Sequence, residues 1–117
     1  MKAIFVHLSG SKRGKTESFT DSKISVGTDS SCNLNFDQSV DKNTSSFHAE
    51  INLQECDYVL KDLDSAEGTF VNNRQIKEVV IHDGDLIEYG DNGPRARFRI
   101  KTEEGDVCKP FREILAD

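Results

Sequence analysis

Ser45-Ser46-Phe47-His48 sets two hydroxyls beside an imidazole, and Asp62-Leu63-Asp64-Ser65-Ala66-Glu67-Gly68-Thr69 gathers carboxylates and hydroxyls around a glycine turn. A serine and a histidine this close could form a nucleophile–base pair. That chemistry also needs a group to orient the imidazole and a glycine-framed nucleophile turn, and neither accompanies Ser45 and His48. No enzymatic chemistry is expected. The three cysteines, Cys32, Cys56 and Cys108, include no pair at zinc-knuckle spacing, so no metal and no cofactor are expected. They read as unpaired thiols in a reducing, cytoplasmic setting. Lys12, Arg13 and Lys15 form a basic cluster, with Lys42 and Arg74 expected in neighbouring loops. A cationic turn of this kind reads first as solvated surface. The net charge of −6 argues against a nucleic-acid or anionic-membrane binder, which needs a clustered basic face.

The elements that must position these groups are strands. The chain has 117 residues, room for a single core. Its 35% hydrophobic and 31% charged fractions are those of an ordinary folded domain. No apolar run approaches the ~18 residues of a membrane span. Ala3 to Leu8 reads as a strand and not as a signal peptide, followed by a glycine-containing turn at Ser9 to Lys15. Thr16 to Phe19, Lys23 to Gly27, and Leu34 with Phe36 follow as strands. The polar loop from Asp37 to Ser46 offers only Val40 to bury. His48 to Leu53, Tyr58 to Leu63, Thr69 to Val71, Val79 to Ile81, Leu86 to Tyr89 and Arg95 to Ile100 complete the set. Short strands with turn signals every 8–12 residues or so predict an all-β, two-sheet antiparallel sandwich. Its expected core contains Ile24, Val26, Leu34, Ile51, Leu53, Val59, Leu60, Phe70, Leu86, Ile87 and Phe98. The one helical candidate is Pro110 to Leu115, where Phe111, Ile114 and Leu115 share a face. An apolar stripe at that point suggests a piece of a longer protein. The domain is expected over residues 1–108, with 109–117 a tail or the start of a linker.

From Ile24 to Ile100 the chain resembles the forkhead-associated (FHA) family. The resemblance rests on a glycine ending a strand (Gly27), the Ser45-x-x-His48-Ala49 turn, Asp62-x-x-Ser65-x-x-Gly68-Thr69-Phe70-Val71-Asn72, and Gly84-Asp85 before a strand. It implies a sandwich of about eleven strands whose loops at one end bind phosphothreonine peptides. It implies structural roles for Gly27, His48 and Gly68, with His48 tying loops together. The ligand-binding positions it implies are Thr28, Ser45, Ser46, Glu67 and Asn72.

Three of those positions depart from the family. Thr28 stands where an arginine usually clamps the phosphate, Ser46 where another arginine is common, and Glu67 where an asparagine is usual. A charge-assisted hydrogen bond contributes about 1.5–3 kcal/mol. Losing the main one beside an added anion is expected to cost roughly two to three orders of magnitude in affinity. Substitute cations are available in Lys12, Arg13, Lys42 and Arg74, and strand parity puts the loop after the first strand at the same end as the loop after the third. The expected function is a non-catalytic interaction module for a protein or phosphoprotein partner, with phosphate binding weak or lost. The alternative is a structural or self-association domain that acts independently of phosphate. Oligomeric state and partner identity are not legible in the sequence.

Overall fold

The computed structural model describes residues 1–102, so Cys108 and the helical candidate at 110–115 lie outside the described residues. Eleven strands form two sheets: β1 (Lys2–His7), β2 (Thr16–Phe19), β3 (Lys23–Gly27), β4 (Leu34–Asn35), β5 (Ala49–Gln54), β6 (Asp57–Asp62), β7 (Thr69–Val71), β8 (Arg74–Ile76), β9 (Glu78–Ile81), β10 (Leu86–Tyr89) and β11 (Arg95–Lys101). One sheet has the order β2-β1-β11-β10-β7-β8 and the other β4-β3-β5-β6-β9. All pairings are antiparallel except β3 with β4, where Val26 lies beside Leu34 and Gly27 beside Asn35.

Period-two burial places the core between the sheets. Ala3 and Phe5 of β1, Ile87 and Tyr89 of β10, and Ala96 and Phe98 of β11 face Ile24, Val26, Ala49, Ile51, Tyr58, Leu60 and Ile81. Aromatic rings fill the core: Phe98 packs against Phe5 of the same sheet at 5.5 Å and across to Tyr58 at 5.6 Å between centroids, and Phe36 against Tyr89 at 5.5 Å.

Most of the predicted core takes its place, and four positions differ. Leu53 packs at the core's margin, half-buried, while Val59 is buried on the other face of β6 from Tyr58 and Leu60. Phe70 and Leu86 point away from the core, because Thr69, Val71, Ile87 and Tyr89 hold the inward positions of β7 and β10. A hydrogen bond of 2.7 Å from Thr69 Oγ1 to Asp62 Oδ1 helps to fix that parity. Val40, the expected anchor of the long loop, is 58% exposed. Two polar residues are buried there instead. Thr44 Oγ1 donates to the Tyr89 carbonyl at 2.8 Å, and Asp41 accepts from the Ser11 N–H at 3.0 Å and from the Ser11 hydroxyl. A loop crossing a sandwich end must satisfy its own backbone and its neighbours' first, which selects hydrogen-bonding side chains over an aliphatic one. β8 went unforeseen, since Arg74-Gln75-Ile76 lacks the alternation that announces a strand.

This parity sets the cost of truncation. Phe98→Ala removes a fully buried ring and is expected to lower stability by about 3–5 kcal/mol. Phe70→Ala is expected to cost less than half as much. Urea denaturation of the two variants checks the assignment, and equal losses would contradict it.

Candidate functional site at the loop end

Strand pairing brings the connections 8–15, 28–33, 36–48, 63–68 and 90–94 to one end of the sandwich. His7 is paired with Ala96, Val26 and Asp62 with Ala49, and Tyr89 with Thr69. At the centre is His48, wholly buried. Its Nδ1 accepts the Ser45 N–H at 3.0 Å, and its Nε2–H donates to the Gly68 carbonyl at 2.8 Å. This pattern defines a neutral Nε2-protonated imidazole, held below its ordinary pKa by burial, against the opposing pull of the Gly68 carbonyl and Asp62. Both ring nitrogens therefore serve backbone groups, and the Ser45 hydroxyl is not poised on the imidazole as a nucleophile would be.

Ser45 instead joins three loops. Its Oγ accepts the Ala66 N–H at 3.1 Å, and its carbonyl accepts the Thr28 N–H at 3.1 Å. The Ser46 carbonyl accepts the Asp29 N–H at 3.1 Å and the Cys32 thiol at 3.4 Å. Gly27 permits this approach. A Cβ there would stand 2.0 Å from the Ser46 oxygen, so the close passage of the β4–β5 loop is what requires glycine at that position. Gly68 takes φ of +86° and its carbonyl also accepts the Gly90 N–H at 2.9 Å, while the Glu67 carbonyl accepts the Asp91 N–H at 3.2 Å. Asp62 braces the same turn. Burial raises its pKa, but hydrogen bonds from Ser65 and Thr69 outweigh that effect and hold it below the ordinary carboxylate value.

Thr28, Ser45, Ser46 and Glu67 are thus neighbours, with the Glu67 and Ser46 side chains exposed. Asn72 does not join them. It begins the β7–β8 turn at φ of +50°, where its Nδ2–H donates to Asp85 Oδ1 at 3.0 Å and its Oδ1 accepts the Leu86 N–H at 3.0 Å. Gly68 meets Gly90 beyond one end of β10 and Asn72 meets Leu86 at the other, so the length of β7, roughly 10 Å, separates Asn72 from Ser45. Its side chain locks a turn.

The candidate cations also divide. Lys12 lines a cleft with Thr28, Asn35, Phe36 and Asp37, together with Lys15 from the same loop. Lys12 Nζ lies 3.0 Å from Glu17 Oε1, which also accepts from His7 Nε2 at 2.9 Å. Arg13 is exposed and does not line that cleft, Lys42 lines a different one beside Asn43 and Pro94, and Arg74 opens β8 at the far end. Sequence reasoning overlooked the 90–94 turn, which is bound through Asn43 Nδ2–H to the Asp91 carbonyl at 2.7 Å. The dense turn residues Gly90-Asp91-Asn92-Gly93-Pro94 were the available signal.

Cys32 is buried and its thiol pKa is raised, first by burial and then by the Asp29 carboxylate, which disfavours the nucleophilic thiolate. Cys56 sits beyond the other end of β5, in the hairpin to β6. Among the described residues no group of His, Cys, Asp and Glu is placed to hold a metal ion, and no helix is long and apolar enough to cross a membrane.

A family model described as FHA domain matches residues 24–90, more than half of the chain, and the chain belongs to that family. No curated protein matches it at the sequence level. Among solved structures it is similar to an FHA domain studied for phosphothreonine-dependent interactions, with 25% identity over 88% of this chain and 100% of that one at a TM-score of 0.75. It is also similar to the FHA domain of an Arabidopsis thaliana hypothetical protein, with 22% identity, 89% of each chain and a TM-score of 0.79. The third is Mycobacterium tuberculosis EmbR in complex with a low-affinity phosphopeptide, with 24% identity, 86% of this chain, 25% of that one and a TM-score of 0.71. FHA domains are protein-interaction modules and not enzymes.

Two expectations follow from this geometry. Gly27→Ala is expected to destabilise the fold by about 1–3 kcal/mol and to shift the amide resonances of Thr28, Ser45 and Ser46; an unchanged denaturation midpoint would contradict the close approach. The second concerns pH. His48 and His7 are both held below the ordinary imidazole value, in His7 by burial against the opposing pull of Glu17. The unfolded chain therefore takes up protons near pH ~6.5 that the folded chain binds only at lower pH. Stability is full above that value and falls as pH drops below it, by up to ~1.4 kcal/mol per pH unit for each imidazole. Urea titrations between about pH 8 and 5 check this, and a flat profile there would refute it.

Proposed function

We propose that this FHA domain holds a protein partner in the loops 28–33, 37–46 and 64–68, with little or no preference for phosphothreonine. The observation that carries the reading is the absence of any arginine from the Thr28–Ser45–Ala66 cluster, whose own charged neighbour is the exposed Glu67. Hydroxyls can donate single hydrogen bonds to a phosphate, but they do not supply the positive charge that offsets desolvating a dianion. The substitute cations improve this only slightly. Lys12 is already paired with Glu17, and Lys15 shares its cleft with Asp37, whose pKa is lowered by the Ser39 hydroxyl and amide.

The domain is taken as residues 1–108, non-catalytic, and acting in the cytoplasm, where the buried thiol of Cys32 stays reduced. Nucleic acid and membrane are not its partners in this reading, consistent with a net charge of −6.

Calorimetry with a degenerate phosphothreonine peptide pool and its unphosphorylated counterpart tests the proposal. The wild-type protein is expected to bind the two within about tenfold of each other. Thr28→Arg combined with Glu67→Asn is expected to introduce a preference of roughly two to three orders of magnitude. Low-micromolar binding of the phosphorylated pool by the wild type, lost on Ser45→Ala, would overturn the reading. Loss of that binding on Lys12→Ala or Lys15→Ala would then identify the cation.

A further inference from the structure

Three large hydrophobic side chains are exposed among the described residues: Leu8 at 45%, Val40 at 58% and Phe47 at 54%. Leu8 and Val40 border two adjoining depressions of about 460 and 380 Å³ that share Ser9, Asn92 and Gly93. Together these form one groove. It starts at Val40 and Lys42, crosses the 90–94 turn, and descends onto the outer face of the six-stranded sheet beside Leu8, Leu86, Arg95 and Arg97. The turn separates it from the Thr28–Ser45–Ala66 cluster.

The groove is already built. The Arg95 N–H donates to Ser9 Oγ at 3.0 Å, the Leu8 N–H to the Arg95 carbonyl at 2.8 Å, and the Tyr89 N–H to the Pro94 carbonyl at 3.0 Å. A floor held this way needs little ordering when something docks on it.

Its charge is opposite to that of the molecule. Lys42, Arg95 and Arg97 line it in a chain of net charge −6. The one carboxylate in its lining, Asp41, is buried and turned onto Ser11. Arg95 pairs with Glu88 at 3.6 Å while its side chain stays half-exposed, and Arg97 donates to the Gly84 carbonyl at 2.9 Å. Among the described residues neither Arg97 nor Lys42 has a carboxylate partner. Arg95 and Arg97 are two residues apart on β11 and leave the same face of the strand, so their side chains start ~6.5 Å apart, the spacing of alternate side chains in an extended peptide.

We propose that this groove is a second protein-docking surface, independent of the loop-end cluster, and that it takes an extended segment in which carboxylates alternate with aliphatic side chains. The carboxylates meet Arg95 and Arg97, and the aliphatic side chains cover Leu8 and Leu86.

The probe is a degenerate octapeptide pool alternating Asp or Glu with Leu, Ile or Val, set beside a matching pool carrying Asn or Gln in place of the acids. In amide-resonance titrations the acidic pool is expected to shift Leu8, Ser9, Asn92, Gly93 and Arg97. The amide pool is expected to bind at least tenfold more weakly, and Arg97→Glu to weaken the acidic pool at least tenfold while leaving the folded spectrum intact. Ser45→Ala is expected to change nothing, which separates this surface from the loop-end reading. Absence of shifts at millimolar peptide, shifts confined to Thr28, Ser45 and Ala66, or equal binding of the two pools would each overturn the proposal. Leu8→Ser gives a second variant at an exposed position; unchanged affinity in both Arg97→Glu and Leu8→Ser would overturn it as well.

Discussion

The imidazole of His48 is the constraint on which the loop end depends. Five loops converge there, and their peptide groups cannot all pair in a regular ladder. His48 supplies one acceptor for the Ser45 N–H and one donor for the Gly68 carbonyl. Its own backbone joins the sheet, through its N–H to the Val26 carbonyl at 2.8 Å and its carbonyl to the Leu63 N–H at 3.0 Å. A side chain with a donor and an acceptor on opposite edges of a rigid ring is well suited to that task; an amide could bridge the same groups but would leave a cavity beside Tyr89, whose ring packs edge-on against the imidazole at 6.1 Å. Because the ring must be neutral to accept at Nδ1, the geometry of the loop end is tied to the protonation state of one buried group.

That geometry determines what the loops can offer a ligand. The Thr28, Asp29 and Ala66 N–H groups all donate to acceptors inside the protein. Ser45 Oγ has accepted one hydrogen bond and keeps its own proton to donate. The result is a rigid rim with exposed polar side chains, of which Glu67 is charged and repels anions. Preorganisation favours recognition of some partner, since little is lost in ordering these loops, while the local charge weighs against a dianion.

The sheets were legible in the sequence because burial on one face leaves a period-two trace, and ten of the eleven strands carry it in some form. Where the trace was ambiguous the reading failed for identifiable reasons. Leu86-Ile87 and Thr69-Phe70-Val71 place large apolar groups on both faces of a strand, so alternation alone cannot choose the inward set. Asn72 joins the ligand-binding positions only through the family resemblance, and β7, which lies between it and Gly68, carries it to the opposite end. The grouping of Thr28, Ser45, Ser46 and Glu67 came with the family resemblance, and each lies within three residues of Gly27, His48 or Gly68, whose places in the fold are demanding. The cleft that Lys12 and Lys15 line together with Thr28 depends on the path of a long loop, which no local pattern encodes.

Gly90 shows how the two sides of the loop end are kept apart. It takes φ of +102°, and a Cβ there would lie 2.1 Å from the Asn43 carbonyl oxygen, so the β4–β5 loop is pressed directly onto the turn that follows β10. Asn43 and Thr44 complete the seam through the Asp91 and Tyr89 carbonyls. The seam divides the rim into a side carrying Ser45 and Glu67 and a side carrying Val40, Lys42 and Asn92. Two surfaces of opposite local charge are thereby held at a fixed separation on one small domain. A partner touching either meets a formed surface, and selectivity between the two rests on charge and shape, since neither needs to rearrange.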